Sequence, residues 1–191
     1  MWRRGAEPRH DDTVDLSVSE RETRRPCTRC FNALIATQAG LESVHPVFEP
    51  LALEDAVGER HQFYFRVRHG GDHIALDAFE LTEGSPGGYE FQILGDPEQD
   101  PAALFERLVQ RMRRALARRH LEETRSGLQI TKSRGRWIVR GQIGWDDDTD
   151  GRVPRLVIDG RGHSWDEIGR MLMTFEGFHI KMEVHDRSEE R

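Results

Sequence analysis

The stretch Gln62–Ala78, QFYFRVRHGGDHIALDA, decides the fold. Phe63, Phe65 and Val67 alternate with Gln62, Tyr64, Arg66 and Arg68, the period-two pattern of a strand with one buried face. His69-Gly70-Gly71-Asp72 follows, and paired glycines supply the positive φ that a tight hairpin needs. Ile74, Leu76 and Ala78 resume the alternation. Phe79 and Leu81 then fall in the opposite phase, which predicts a bulge near Ala78. Beyond the turn Gly84-Ser85-Pro86-Gly87-Gly88, Tyr89, Phe91 and Ile93 make a third strand. This part of the chain reads as a three-stranded antiparallel meander.

Asp96-Pro97 and Asp100-Pro101 stop the meander and start a helix, because proline suits a first helical turn. Leu104, Leu108, Met112, Ala115 and Leu116 form one apolar arc, predicting a helix from Ala102 to about His120. The second half follows a similar plan. Leu128 and Ile130 mark a strand, Ser133-Arg134-Gly135 a turn, Trp137 to Trp145 a longer strand, and Arg155 to Ile158 another. Ser164-Trp165-Asp166-Glu167 has the form of a capping box and opens a second helix, with Gly177 placed to end it. Phe178, Ile180, Met182 and Val184 alternate strictly with His179, Lys181, Glu183 and His185, which predicts a final strand. The fold class is therefore α+β, an antiparallel sheet or sheets with two main helices packed on one face, in the order βββα-βββαβ.

The chain has 191 residues, of which 32% are charged, with a net charge of −6 and two cysteines. Mean hydropathy is −0.70, and no run approaches the 18 apolar residues of a membrane span. Residues 1–26 hold only Val14, Leu16 and Val18 as strong core formers, so they are expected to be a flexible arm. A Cys-x-x-Cys half with the βββα pattern is expected over 27–125 and a βββαβ half over 126–186, the two making one body, with a tail at 187–191. Met1-Trp2-Arg3-Arg4-Gly5 is followed by no apolar segment of a secretory signal, and with the two closely spaced cysteines this points to a reducing cytoplasm.

Cys27-Thr28-Arg29-Cys30 offers two thiolates at the spacing of a zinc knuckle. A closed Zn²⁺ site needs two more ligands, which only histidines can supply within the chain, and His45 is the nearest in sequence. A pair of plain reduced thiols and a redox pair are the other two readings. Asp146-Asp147-Asp148-Thr149-Asp150-Gly151 imitates the first half of a calcium loop, but Val157 stands at the twelfth position where a glutamate belongs. A solvated turn is expected there. Arg107, Arg111, Arg114 and Arg118 lie on one face of the first predicted helix, within about 60° of arc, a surface for an acidic partner or nucleic-acid phosphates. Asp159, His163, Asp166 and Glu167 cluster at a strand-to-helix junction where a histidine beside carboxylates can do acid–base work.

Cys27-Thr28-Arg29-Cys30-Phe31-Asn32, together with Leu156-Val157-Ile158-Asp159-Gly160 and the run through Ser164-Trp165, Gly169-Arg170-Met171-Leu172 and Phe175-Glu176-Gly177-Phe178, resembles an uncharacterised prokaryotic protein family of unknown function. The resemblance covers roughly 27–186. It implies that similar proteins complete a zinc knuckle with a second cysteine pair, which this chain lacks, and it implies no activity. The expected function is that of a non-enzymatic cytoplasmic accessory protein, binding or regulatory, that acts through a macromolecular partner. Two alternatives stand beside it: a small metal-dependent enzyme using Asp159 and His163, and a nucleic-acid-binding protein using the arginine face. A protein partner is expected, pairing with a second copy is open, and no membrane is involved.

Overall fold

The alternating stretch forms the centre of a four-stranded antiparallel sheet, one strand wider than the sequence predicts. In this computed structural model, residues 13–14, 16–19, 22–41, 45–82, 85–125, 127–133 and 135–189 are described. The sheet runs β3-β4-β5-β6, with β3 at Leu51–Glu54, β4 at Arg60–His69, β5 at Ile74–Thr82 and β6 at Ser85–Gly95. The glycine turn joins β4 and β5 as expected, with His69 opposite Ile74 and the Gly70 N–H donating to the His73 carbonyl at 2.8 Å. The bulge falls between Phe79 and Glu80, beside the predicted position. Upstream of it, β5 is buried on both faces. One face carries Leu76 and Ala78. The other carries Asp77, held by Arg68 at 2.8 Å and by Gln92 at 2.8 Å.

The predicted helix becomes α2, Pro101–Leu116, started by the Asp100 side chain accepting from the Ala102 N–H at 2.9 Å. Leu104, Leu108, Met112 and Leu116 pack on Phe63, Leu76, Phe91 and Ile93 in one core. The helix stops short of the expected His120. There the Leu116 carbonyl accepts from the Ala56 N–H at 2.8 Å, and the chain turns away.

In the second half β7 (Leu121–Thr124) pairs with β8 (Gly127–Ile130), and β9 (Lys132–Ser133) with β10 (Arg136–Trp137). A three-stranded sheet follows, made of β11 (Gln142–Gly144), β12 (Arg155–Ile158) and β13 (Arg161–His163). The expected long strand from Trp137 to Trp145 is thus broken in two. At Gly141 a Cβ would lie 2.6 Å from the Val157 carbonyl oxygen, so the chain passes β12 closely there. The capping box forms as predicted: the Ser164 N–H donates to Glu167 at 2.8 Å and the Glu167 N–H donates back to the Ser164 hydroxyl at 3.3 Å. It opens α3, Trp165–Leu172, which runs into a 3₁₀ turn at Met173–Phe175. Leu121, Ile158, Ile168 and Met171 make a second, smaller core.

Three expectations are corrected. A third helix, α1 (Thr28–Ala39), precedes the sheet, so the two-helix order βββα-βββαβ does not hold. Its Asn32 is buried and grips β4 through the Val67 carbonyl at 2.7 Å and the His69 N–H at 3.0 Å. The expected arm is backbone-paired over part of its length, with β1 (Leu16–Ser19) against β2 (Glu22–Arg24) and Thr13 bridged to Cys27. Residues 1–12 of the arm, residue 84 of the glycine turn and residue 134 of the second turn lie outside the described residues. The final strand is not formed: residues 178–186 pair with no described strand. The alternation is present in the residues, but among the described residues it pairs with no strand. Among the described residues no helix is long and apolar enough to cross a membrane.

Candidate functional site

The core face of the four-stranded sheet does not end in apolar side chains. β4 continues its inward phase from Val67 through Phe65 and Phe63 to His61, which is 8% exposed. Glu80 of β5, just past the bulge, meets it, with its Oε1 2.8 Å from His61 Nδ1. The Tyr89 N–H fixes the other Glu80 oxygen at 2.7 Å, and the Tyr89 ring stands edge-on to the imidazole at 5.1 Å. The β3–β4 turn supplies two more carboxylates. Asp55 Oδ1 accepts from the N–H groups of Val57 at 2.9 Å and Glu59 at 2.8 Å, which leaves Oδ2 facing His61 Nε2 at 3.8 Å. One ligand atom each from Asp55, Glu59 and His61 lie within 4.8 Å of one another.

The second half closes over this end of the sheet. Asp159 and Gly160 form the β12–β13 turn, both at positive φ. A Cβ on Gly160 would lie 2.7 Å from the Tyr89 ring, so glycine permits the close approach. Arg161 reaches Glu59 at 3.1 Å. Burial, with the negative charges of Asp159, Asp55, Glu80 and Glu59, drives the Tyr89 phenol far above its usual value, so it stays protonated. Burial pushes the Asp55 carboxyl up, but the Glu59 and Val57 N–H groups and His61 outweigh it and hold the group below the ordinary carboxylate range.

The other expected residues fall elsewhere. Cys27 caps α1 and its Sγ lies 3.1 Å from that of Cys30. His45 is half-buried, and burial followed by the charges of Arg29 and His69 lowers its basicity. Among the described residues the three are not drawn into one ligand group. Arg107 and Arg114 are exposed on α2, and Arg118 lies beyond its end. The Arg111 guanidinium donates to the carbonyls of Gln92 at 2.8 Å and Arg187 at 3.0 Å, so this arginine fastens α2 to β6 and to the chain's end. Asp159 Oδ2 accepts from the His120 and Leu121 N–H groups, each at 2.8 Å, where α2 hands over to β7. A concavity of about 410 Å³ lies in the first half (between His69, Ile74 and Pro101), another of about 370 Å³ (between Phe31, His73 and Leu94) is also lined by Asp186, and neither is lined by Asp159 or His163. Asp146, expected in a solvated turn, is buried and folds the loop by accepting from the Asp148 N–H at 3.2 Å.

Comparison with known families divides the chain where its two cores divide. Residues 45–117 match a domain of unknown function, DUF7686, and residues 120–189 match another, DUF7713. Each match covers less than half of the chain, and the two follow one another along it. No curated protein and no solved structure matches it. The DUF7686 half holds the four-stranded sheet and α2, and the DUF7713 half holds the smaller core.

The DUF7713 half exposes more large apolar side chains than it buries. Against Leu121, Ile158, Ile168 and Met171 inside stand Trp137, Ile143, Trp145, Trp165 and Met173 outside. The run after α3 extends this surface: Phe178 is 64% exposed, Ile180 71%, Met182 69% and Val184 71%. Phe178 roots the run on the rings of Trp137, at 5.8 Å, and Phe175, at 5.9 Å. At the far end Arg187 pairs with Glu90 of β6 at 2.6 Å. Between the anchors, Glu183 pairs with Lys181 and lies 3.9 Å from His185 Nε2, which puts the three polar side chains on one face. Contacts at i and i+2 are those of an extended chain, not of a helix.

Proposed function

We propose that this protein is a non-enzymatic binding protein of the cytoplasm that acts through a macromolecular partner, with the extended run 178–185 as its contact strand. The observation that carries this reading is the alternating row Phe178, Ile180, Met182 and Val184, each about two-thirds exposed on a segment anchored at both ends. An unpaired extended segment with an apolar row is a template for strand addition.

The partner supported by the residues is a second copy of the chain. Paired antiparallel about Met182, Lys181 faces the partner's Glu183, Ile180 faces the partner's Val184, and Met182 faces its counterpart. Opposite charges meet on one face and apolar side chains on the other. Edge-to-edge pairing covers each apolar side chain only in part, each cross-strand pair contributing about 0.2–1 kcal/mol, set against an association cost of about 4–15 kcal/mol. The dimer is therefore expected to be weak and to depend on chain concentration.

Sedimentation velocity from low micromolar to a few hundred micromolar protein tests this. The wild-type chain is expected to pass from monomer to dimer. Lys181→Glu is expected to weaken the dimer, and Lys181→Glu combined with Glu183→Lys to restore it. A chain that stays monomeric throughout, or a dimer indifferent to these charge changes, overturns the reading.

A further inference from the structure

We propose that Asp55, Glu59 and His61 bind one divalent transition-metal ion of the Zn²⁺ or Mn²⁺ kind, with Glu80 as the carboxylate that aims the imidazole. This site is independent of the contact strand. The observation that points to a ligand is the state of His61. The residue is 8% exposed, and its Nε2 is buried with no hydrogen-bond partner. Asp55 Oδ2, at 3.8 Å, is too far away to serve. A buried nitrogen left in this way is costly unless something occupies the position it faces.

The surroundings decide what that occupant is. Glu80 Oε1 lies 2.8 Å from Nδ1, so Nδ1 donates to this carboxylate, and a metal ion arriving at Nε2 takes the place of any proton there. Glu80 is itself held by the Tyr89 N–H, which fixes the plane of the ring. Nε2 is turned toward two carboxylates, Asp55 and Glu59. Asp55 is locked by the two N–H groups of its own turn, and Glu59 is 52% exposed in its side chain and opens the site to solvent. One imidazole nitrogen with two carboxylate oxygens suits Zn²⁺ or Mn²⁺ better than Ca²⁺, which takes six to eight oxygens. The remaining coordination positions fall to water.

Arg161 sets how the ion enters. Its guanidinium holds Glu59 from the DUF7713 half at 3.1 Å, so ion and arginine compete for one carboxylate. Metal binding thus exchanges a contact between the two halves for a coordinate bond.

The test is calorimetric titration of the full chain with Zn²⁺, and with Mn²⁺ in parallel. The chain carries Cys27→Ser and Cys30→Ser so that the thiols take no zinc. One equivalent is expected to bind at micromolar or tighter affinity. His61→Gln and the surface variant Glu59→Gln are each expected to weaken it at least tenfold. Glu80→Gln should weaken it by about ten- to a hundredfold, whereas Arg161→Gln should tighten it. Absence of binding, or binding that Glu59→Gln and Arg161→Gln leave unchanged, overturns the site.

Discussion

Asp159 offers a quantitative test of how the two halves are joined. Its carboxylate accepts from two consecutive backbone N–H groups, His120 and Leu121, each at 2.8 Å and partly buried. It does so from a left-handed backbone position, φ 50°. Three substitutions separate these contributions. Asp159→Asn keeps an acceptor oxygen and tolerates the backbone, so only the charge assistance is lost, about 1 kcal/mol. Asp159→Gly loses both bonds but relaxes the backbone. Asp159→Ala loses both bonds and suffers at positive φ. Two hydrogen bonds to a charged group contribute about 1.5–3 kcal/mol each, and partial solvent access lowers the sum to about 2–4 kcal/mol for alanine. The expected order of destabilisation is Asn, then Gly, then Ala. Urea unfolding measures it. Of the four tryptophans three, Trp137, Trp145 and Trp165, lie in the second half, so fluorescence follows that half while circular dichroism follows the whole chain. An Asp159→Ala chain within about 0.5 kcal/mol of wild type, the range of ordinary surface substitutions, or an Asp159→Gly chain more stable than wild type, refutes the assigned role.

Asn32→Ala strips α1 of its bonds to the Val67 carbonyl and the His69 N–H, and is expected to cost about 2–3 kcal/mol in the same unfolding experiment. Ser164→Ala removes the hydroxyl of the capping box and should cost about 1 kcal/mol, read as a lower urea midpoint. The Ser164 N–H and then its hydroxyl hold the Glu167 carboxyl below its ordinary 4.5. A depressed carboxyl stabilises the fold above that value and loses its contribution as pH falls through the folded-state value, so wild type should lose more stability than Ser164→Ala between neutral pH and the acid range.

The meander was legible because its alternation and its glycine turn agree on one register. The capping box was legible because Ser164 and Glu167 each satisfy the other locally. Helix α1 was hard to see as a principal element, since its N-cap is a cysteine and its hold on β4 is one buried asparagine 35 residues upstream of Val67. Asp55, Glu59 and His61 lie within seven residues of one another, but Glu80, which orients the imidazole, is brought to them by strand register. A signal was nonetheless present: His61 and Glu80 continue the inward phases of Phe63–Val67 and Ile74–Ala78, where polar residues need a reason. Asp159 shows the opposite case: the chain reversal from α2 to β7 engages its Oδ2, a structural role that the residues around it in sequence do not record. The terminal alternation fixes which side chains share a face but names no neighbour, so it reads as a strand whether or not one is there to pair with.

Hydrogen exchange of the amides over 178–186, followed by NMR as protein concentration rises, tests the contact strand most directly. Alternate amides, symmetric about Met182, are expected to gain protection together as the dimer fills, and Ile180→Lys with Met182→Lys is expected to abolish the gain. Amides that exchange at the same rate at every concentration would contradict it.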